Sequence, residues 1–376
     1  MRQSLSLLLY LCPLTISAQV KEPWINKPVS DWPQIALTNQ VLYKNGDRYI
    51  DPSIKYAGTG FLIDNGRDIL AATAKHILWI AKNKKVNGTE INADLNQWIM
   101  VPKGNTKDSA IIGSLLNEDT SERLEGSIST ILERDWLVFS VKKSSTRLYP
   151  LKPRYTPVKP GEKVYILSCT YQDSVCTVYN GKVYRKLGMD ILIQHDMGTQ
   201  KPGSSGSPVI DANGYLIGVI SSGTTIDVGE VAVAISTEYL KDILDKKPGL
   251  NEPKKDYGEV IFNAVIEGGT AKAIKQYRSL TENPDNYYIY NLRSANRNGL
   301  LETGERLLDM KRYRDAVEIL KFNLEANGKF YVHYNLLAKA QLLAGNKQAA
   351  LESYRLSINN YDGKENEAYT EIKKLK

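Results

Sequence analysis

The chain has 376 residues, 42% of them hydrophobic and 24% charged, with a formal net charge of +7. That is the composition of an ordinary soluble globular protein, long enough for two or three domains with separate cores. The lysines are scattered without the aromatic interleaving of nucleic-acid modules, no apolar run reaches the ~18–20 residues of a membrane-spanning helix, and the three histidines (His76, His195, His333) lack metal-ligand spacing. No nucleic acid, transmembrane segment, metal or cofactor is therefore expected.

In chain order, the opening "MRQSLSLLLYLCPLTISAQV" has one basic residue (Arg2), an apolar run from Leu5 to Ile16 and small residues before Gln19. It reads as a secretory signal over 1–18, cleaved near Ala18, which places the mature chain in a secreted or periplasmic setting. A lipoprotein reading through Cys12 fails because Leu11 stands where a small residue is required. Residues 19–245 read as one β domain. "AGTGFLID", "DILAATA", "DWLVFSVKK", "EKVYILSC", "CTVYNGKVYRKL", "MDILIQHDM", "YLIGVISS" and "EVAVAIS" are apolar or β-branched runs of strand length. Asn180-Gly181 and Asn213-Gly214 carry the strongest hairpin signals. Many short strands without interleaved helices predict a sandwich or barrel. A short helix, "TEYLKDILDK", follows with Thr237 as its expected cap. Cys169 and Cys176 remain after signal removal and form a disulfide candidate in an oxidising compartment, two unpaired thiols being the alternative.

The stretch 246–258, within "KKPGLNEPKKDYG", reads as a linker, and 259–376 as helical. A shift of 34 residues lays Gly304 on Ala338, Leu308 on Leu342, Ala316 on Ala350, Leu320 on Tyr354 and Leu324 on Ile358. A looser copy places Ala273 and Tyr277 ahead of them, 43 residues before Ala316 in place of 34. Small residues alternating with large apolar ones at this period resemble the tetratricopeptide repeat, although Pro and several signature aromatics are missing. The resemblance implies helical hairpins that bind a peptide, a protein partner or the protease domain itself.

A serine hydroxyl becomes a nucleophile only with an adjacent base, a group that orients the base, and donors for the developing oxyanion. The sequence offers His76 in "ATAKHIL", Asp135 in "DWLVFSV" and Ser205 in "TQKPGSSGSPVID", where flanking glycines allow a sharp turn. These three boxes, in the order His, Asp, Ser, resemble those of trypsin-like (chymotrypsin-fold) serine proteases. "IQHDM" is similar to the Q-x-D segment of glutamyl endopeptidases and Deg-type proteases of the bacterial secreted type. The resemblance spans Gly58 to Leu244 and implies two six-stranded β-barrels with the site in the cleft between them. The fold class expected is thus multidomain, all-β plus all-α: a double-barrel protease domain followed by a helical repeat-like domain.

By the same resemblance His76 is the general base, Asp135 its orienter and Ser205 the acyl-forming nucleophile, with the Gly203 and Ser205 amides as oxyanion hole. The primary specificity pocket maps to Thr199, Ser221, Ser222 and Gly223. No carboxylate stands at its base, so Arg or Lys preference is unsupported; Thr199 and Lys201 point weakly to an acidic or small residue. Lys75 beside His76 is a cation able to depress the imidazole pKa. His195 is expected to be a packed, hydrogen-bonded histidine, His333 a helix-face residue, and Asp196 a loop stabiliser. Departures are the "AKH" and the absence of an Ile-Val-Gly-Gly activation sequence. An α/β-hydrolase is disfavoured because Ser207 occupies the last glycine of the nucleophile elbow. The remaining alternative is a silent or latent protease-like scaffold acting through its repeats.

Overall fold

The computed structural model describes residues 20–44, 55–78, 95–118, 134–198, 201–226, 229–248, 250, 252–292 and 298–375. The segment expected as a signal, 1–18, and Thr199 lie outside them. Twelve strands fall among the described residues of the β half. β1 (Leu37–Tyr43), β2 (Thr59–Asp64), β3 (Ile69–Thr73), β4 (Leu95–Val101), β5 (Ala110–Leu115) and β6 (Leu137–Ser144) close in the order β1-β2-β3-β6-β5-β4. β7 (Lys163–Ser168), β8 (Thr177–Leu187), β9 (Asp190–His195), β10 (Pro208–Asp211), β11 (Leu216–Ile226) and β12 (Gly229–Ser236) close in the order β10-β11-β12-β9-β8-β7. Closure satisfies every strand edge within its own barrel. This is the double-barrel, chymotrypsin-like architecture that the resemblance implies.

Each barrel has its own interior. Leu37, Val41, Leu62, Trp98, Met100 and Phe139 fill the first, and Val164, Ile166, Ile193, Val209 and Ile220 fill the second. A further apolar layer joins the barrels: Phe61, Ile63, Trp136, Leu216, Val219 and Ile235 pack with Tyr239 and Tyr288 from beyond the strands. Burial of each such side chain contributes roughly 1.5–3 kcal/mol. The layer holds the two barrels in one mutual orientation, and the residues of the site come from both.

Four strands, β1, β4, β5 and β10, lie outside the eight runs read as strands. β1 reads "LTNQVLY", with Thr38 and Asn39 at buried positions. Their polar groups are satisfied inside: Thr38 donates to the Val101 carbonyl, Asn39 donates to Ala57 and Thr73, and the Trp98 indole donates to Asn39. A buried hydrogen-bonded asparagine breaks the apolar alternation without breaking the strand.

Asn213-Gly214 does turn the chain, with Gly214 at φ 90° between β10 and β11. Asn180-Gly181 does not: β8 runs straight through it. Asp196 takes the Asn180 backbone and side-chain N–H groups at 2.9 Å each, and Gly181 lets the strand lie against Ile193 and Val164. The tertiary partners override the turn propensity of the pair.

Helix α1 (Thr237–Leu244) follows β12. Its cap is Ser236, whose hydroxyl accepts from the Glu238 N–H at 3.2 Å; Thr237 instead donates to the Arg154 and Ile217 carbonyls. Beyond it come α2 (Tyr257–Glu282, kinked at Gly268 and Gly269), α3 (Asn286–Ile289), α4 (Gly299–Asp309), α5 (Tyr313–Asn327), α6 (Tyr331–Leu343), α7 (Lys347–Asn360) and α8 (Ala368–Leu375). Ala273, Ala316, Ala338 and Ala350 are fully buried, and a Cβ on Gly304 would fall 2.5 Å from Leu320. Small residues therefore stand where neighbouring helices approach closely. His333 lies on α6 and is buried, its Nδ1 2.9 Å from the Gly328 carbonyl. No helix among the described residues is long and apolar enough to cross a membrane.

Candidate active site

β3 delivers its chain end at His76, the segment ahead of β6 delivers Asp135, and the turn before β10 delivers Ser205. The structure brings the three together. His76 Nδ1 lies 2.6 Å from Asp135 Oδ2, and His76 Nε2 lies 2.7 Å from Ser205 Oγ. Asp135 is wholly buried and fully bonded: its Oδ1 accepts the His76 backbone N–H at 2.7 Å, and its Oδ2 also accepts the Ser221 hydroxyl at 2.5 Å.

Burial alone would push the Asp135 carboxyl up. The charge of His76, the hydrogen bonds from its ring and backbone, and that of Ser221 more than offset this and hold it below the usual aspartate value. Burial likewise pulls the His76 imidazole down, but the charge and hydrogen bond of Asp135 outweigh it, so His76 stands above the ordinary histidine value. Lys75, a neighbouring cation able to lower the imidazole, is not among the groups that set this shift. Lys75 is itself buried, and the carboxylate in direct contact dominates.

The serine turn is held by its carbonyls. The Gly203 carbonyl accepts Thr59 Oγ1 at 2.9 Å, the Ser205 carbonyl accepts the Thr59 N–H at 2.8 Å, and the Ser204 carbonyl accepts the Ser207 N–H and hydroxyl. Gly203 (φ 92°) and Gly206 (φ 84°) make this possible; a Cβ on Gly206 would lie 2.1 Å from the Thr59 carbonyl oxygen. Among the described residues, neither the Gly203 nor the Ser205 N–H has a hydrogen-bond acceptor. Two amides beside a histidine-bonded hydroxyl can stabilise an oxyanion formed by attack of that hydroxyl on a carbonyl.

Cys169 and Cys176 form a disulfide that closes the loop beside this turn. The Tyr171 N–H donates to the Pro202 carbonyl at 2.9 Å, and Tyr56 OH donates to the Thr170 carbonyl at 2.9 Å. Lys103 from the first barrel donates to the Thr170 and Asp173 carbonyls. No motif in the sequence announces these contacts, because they join residues up to 114 positions apart.

Ser221, mapped to the specificity pocket, turns its hydroxyl to Asp135 instead. Ser222 is half-buried and Gly223 exposed on β11, paired with Val233 and Ala232 of β12. Lys201 is engaged elsewhere, 3.3 Å from both Asp173 Oδ1 and Tyr179 OH, which removes it as a ready partner for an acidic side chain. His195 is half-buried; its Nδ1 accepts the Met197 N–H at 3.3 Å, and burial lowers its pKa. No group of three or more His, Cys, Asp or Glu among the described residues is placed to hold a metal.

Residues 58–219 match the family model of the trypsin-like peptidase domain. No curated protein matches the chain. Among solved structures, the active form of the Rv3671c protease from M. tuberculosis is 18% identical, over 61% of this chain and 88% of that one, with a TM-score of 0.39. Its inactive form is 18% identical, over 62% of this chain and 100% of that one, with a TM-score of 0.38. With the family match falling on the strands that bring His76, Asp135 and Ser205 together, the chain carries a trypsin-like serine peptidase domain, followed by a helical region.

Proposed function

We propose that the protein is a secreted or periplasmic serine endopeptidase that hydrolyses peptide bonds through an acyl-enzyme on Ser205. One observation carries the reading: the unbroken hydrogen-bonded series Ser221–Asp135–His76–Ser205, ending beside two N–H groups with no acceptor of their own among the described residues. In this reading His76 Nε2 takes the Ser205 proton as Oγ attacks the scissile carbonyl, and the Gly203 and Ser205 amides receive the oxyanion. His76 then returns the proton to the leaving amine. Water repeats the sequence in reverse to release the acid. Asp135 stays ionised throughout and holds the imidazole in the tautomer that accepts at Nε2. The chemistry needs no metal or cofactor.

The units proposed are a signal over 1–18, the peptidase over 19–245, a connecting segment over 246–258 and a tetratricopeptide-like domain over 259–376. The buried alanines at the repeat positions support the last, and such hairpins would take a peptide or protein partner. Labelling of the purified protein with a fluorophosphonate, followed by peptide mapping, tests the enzyme reading. Label on Ser205, absent from Ser205→Ala, is the expected result. A folded sample without label favours the silent scaffold and makes the helical region the place to look for function.

A further inference from the structure

Arg134, the residue immediately before Asp135, is 2% exposed, yet no carboxylate is bonded to its side chain among the described residues. Its guanidinium donates to main-chain carbonyls of the C-terminal part of the chain: Nε to Tyr288 at 3.2 Å, and Nη2 to Tyr288 at 2.7 Å and to Glu252 at 2.6 Å. A buried guanidinium is tolerated only where such acceptors meet it, and removing them leaves a costly unpaired charge. The acceptors are held firmly. Tyr288 belongs to the apolar layer between the barrels, its ring 5.3 Å from that of Tyr239 on α1, and its hydroxyl donates to Asp242 at 3.0 Å. Lys247 bridges Asp242 to Asp285, which lies just before α3. On the other side of Asp135, the Trp136 indole donates to the Ile235 carbonyl at 3.2 Å. The backbone carrying the carboxylate is thus clamped at both neighbours, by the second barrel through Trp136 and by the helical region through Arg134.

We infer that Arg134 is a positioning residue through which the docked helical region sets the Asp135 carboxylate against His76, making that region part of the peptidase's working machinery. This rests on the reading of His76, Asp135 and Ser205 given above. Loss of the clamp lets the carboxylate drift from His76 Nδ1, so that the imidazole loses support for its charged form and becomes a weaker, misoriented base.

The test is the pH dependence of the fluorophosphonate labelling rate at Ser205 in the full chain, for wild type, Arg134→Met and Arg134→Lys, with thermal unfolding alongside. Arg134→Met keeps volume and removes the donors. It is expected to label about 10²-fold more slowly, with the acidic limb of the profile moved to lower pH, and Arg134→Lys is expected to recover part of both. If Arg134→Met fails to fold, Lys247→Ala loosens the same docking from the surface and is expected to shift rate and limb in the same direction by a smaller amount. Unchanged rate and limb in a folded variant, or a rate loss that only follows the unfolded fraction, overturns the inference. Absence of label from wild type overturns the triad reading instead, so the two failures are distinct.

Discussion

At Asp135 three donors converge on one carboxylate, and the direction of two pKa shifts follows from that crowding. In the proposed reaction His76 must be neutral to accept the serine proton. Its pKa is raised, so activity is expected to fall as pH drops through a value above that of an ordinary histidine. Asp135→Asn removes the charge that raises it. The acidic limb should therefore move to lower pH, while the maximal rate falls about 10⁴-fold because the amide favours the wrong tautomer. A pH–rate series of labelling or peptide cleavage checks both. An unmoved limb would mean that the carboxylate does not set the imidazole's basicity. The three residues were legible in sequence because each sits in a short local pattern. Ser221 was not, since its hydroxyl reaches Asp135 across 86 positions, and no local signal distinguishes a serine that orients a carboxylate from one that lines a pocket.

Among the elements, β2 supports the serine turn through one threonine. Thr59 meets the Gly203 and Ser205 carbonyls and also receives the Cys169 N–H at 2.9 Å, tying the two barrels together beneath the turn. Gly206 is pressed against the same residue at positive φ. Gly206→Ala is expected to destabilise the protein by about 1–3 kcal/mol through strain alone and to abolish labelling of Ser205, as read by calorimetry and mass spectrometry. Retention of both stability and label would show that the turn is more adaptable than its contacts suggest. The elements were unevenly legible. Apolar strands such as β7 and β12 announced themselves, whereas β1 hid behind Asn39 and the Asn180-Gly181 pair imitated a turn. Both misreadings have one cause, a polar residue satisfied by a partner distant in sequence.

Across the whole molecule, α3 joins the helical region to the barrels. Tyr287 lies on Gly188, where a Cβ would fall 2.1 Å from its ring, and Tyr288 enters the layer between the barrels. Tyr287→Ala is expected to cost about 3–5 kcal/mol of this contact and to split thermal unfolding into separate barrel and helical transitions. A single unshifted transition in scanning calorimetry would contradict a coupling carried by this side chain. The stretch read as a linker is bound in place, through Glu252 to Arg134 and through Lys255, whose N–H donates to the Ile289 carbonyl at 2.8 Å. Composition alone marks Pro, Gly and Lys as a break, because it carries no information about carbonyls waiting elsewhere.

The sequence by itself determined the β-then-α order and the small positions along the helices, and it singled out His76, Asp135 and Ser205 as candidates, because each is written in local periodicity or a short motif. Only the tertiary structure decided that Ser221 serves Asp135, that Lys201 is spoken for by Asp173, and that Arg134 reaches the helical region. Those facts depend on long-range partners for buried polar groups. A polar group's preference in the chain is weak, whereas the cost of leaving it unpaired in the interior is large, so the fold as a whole assigns the partner.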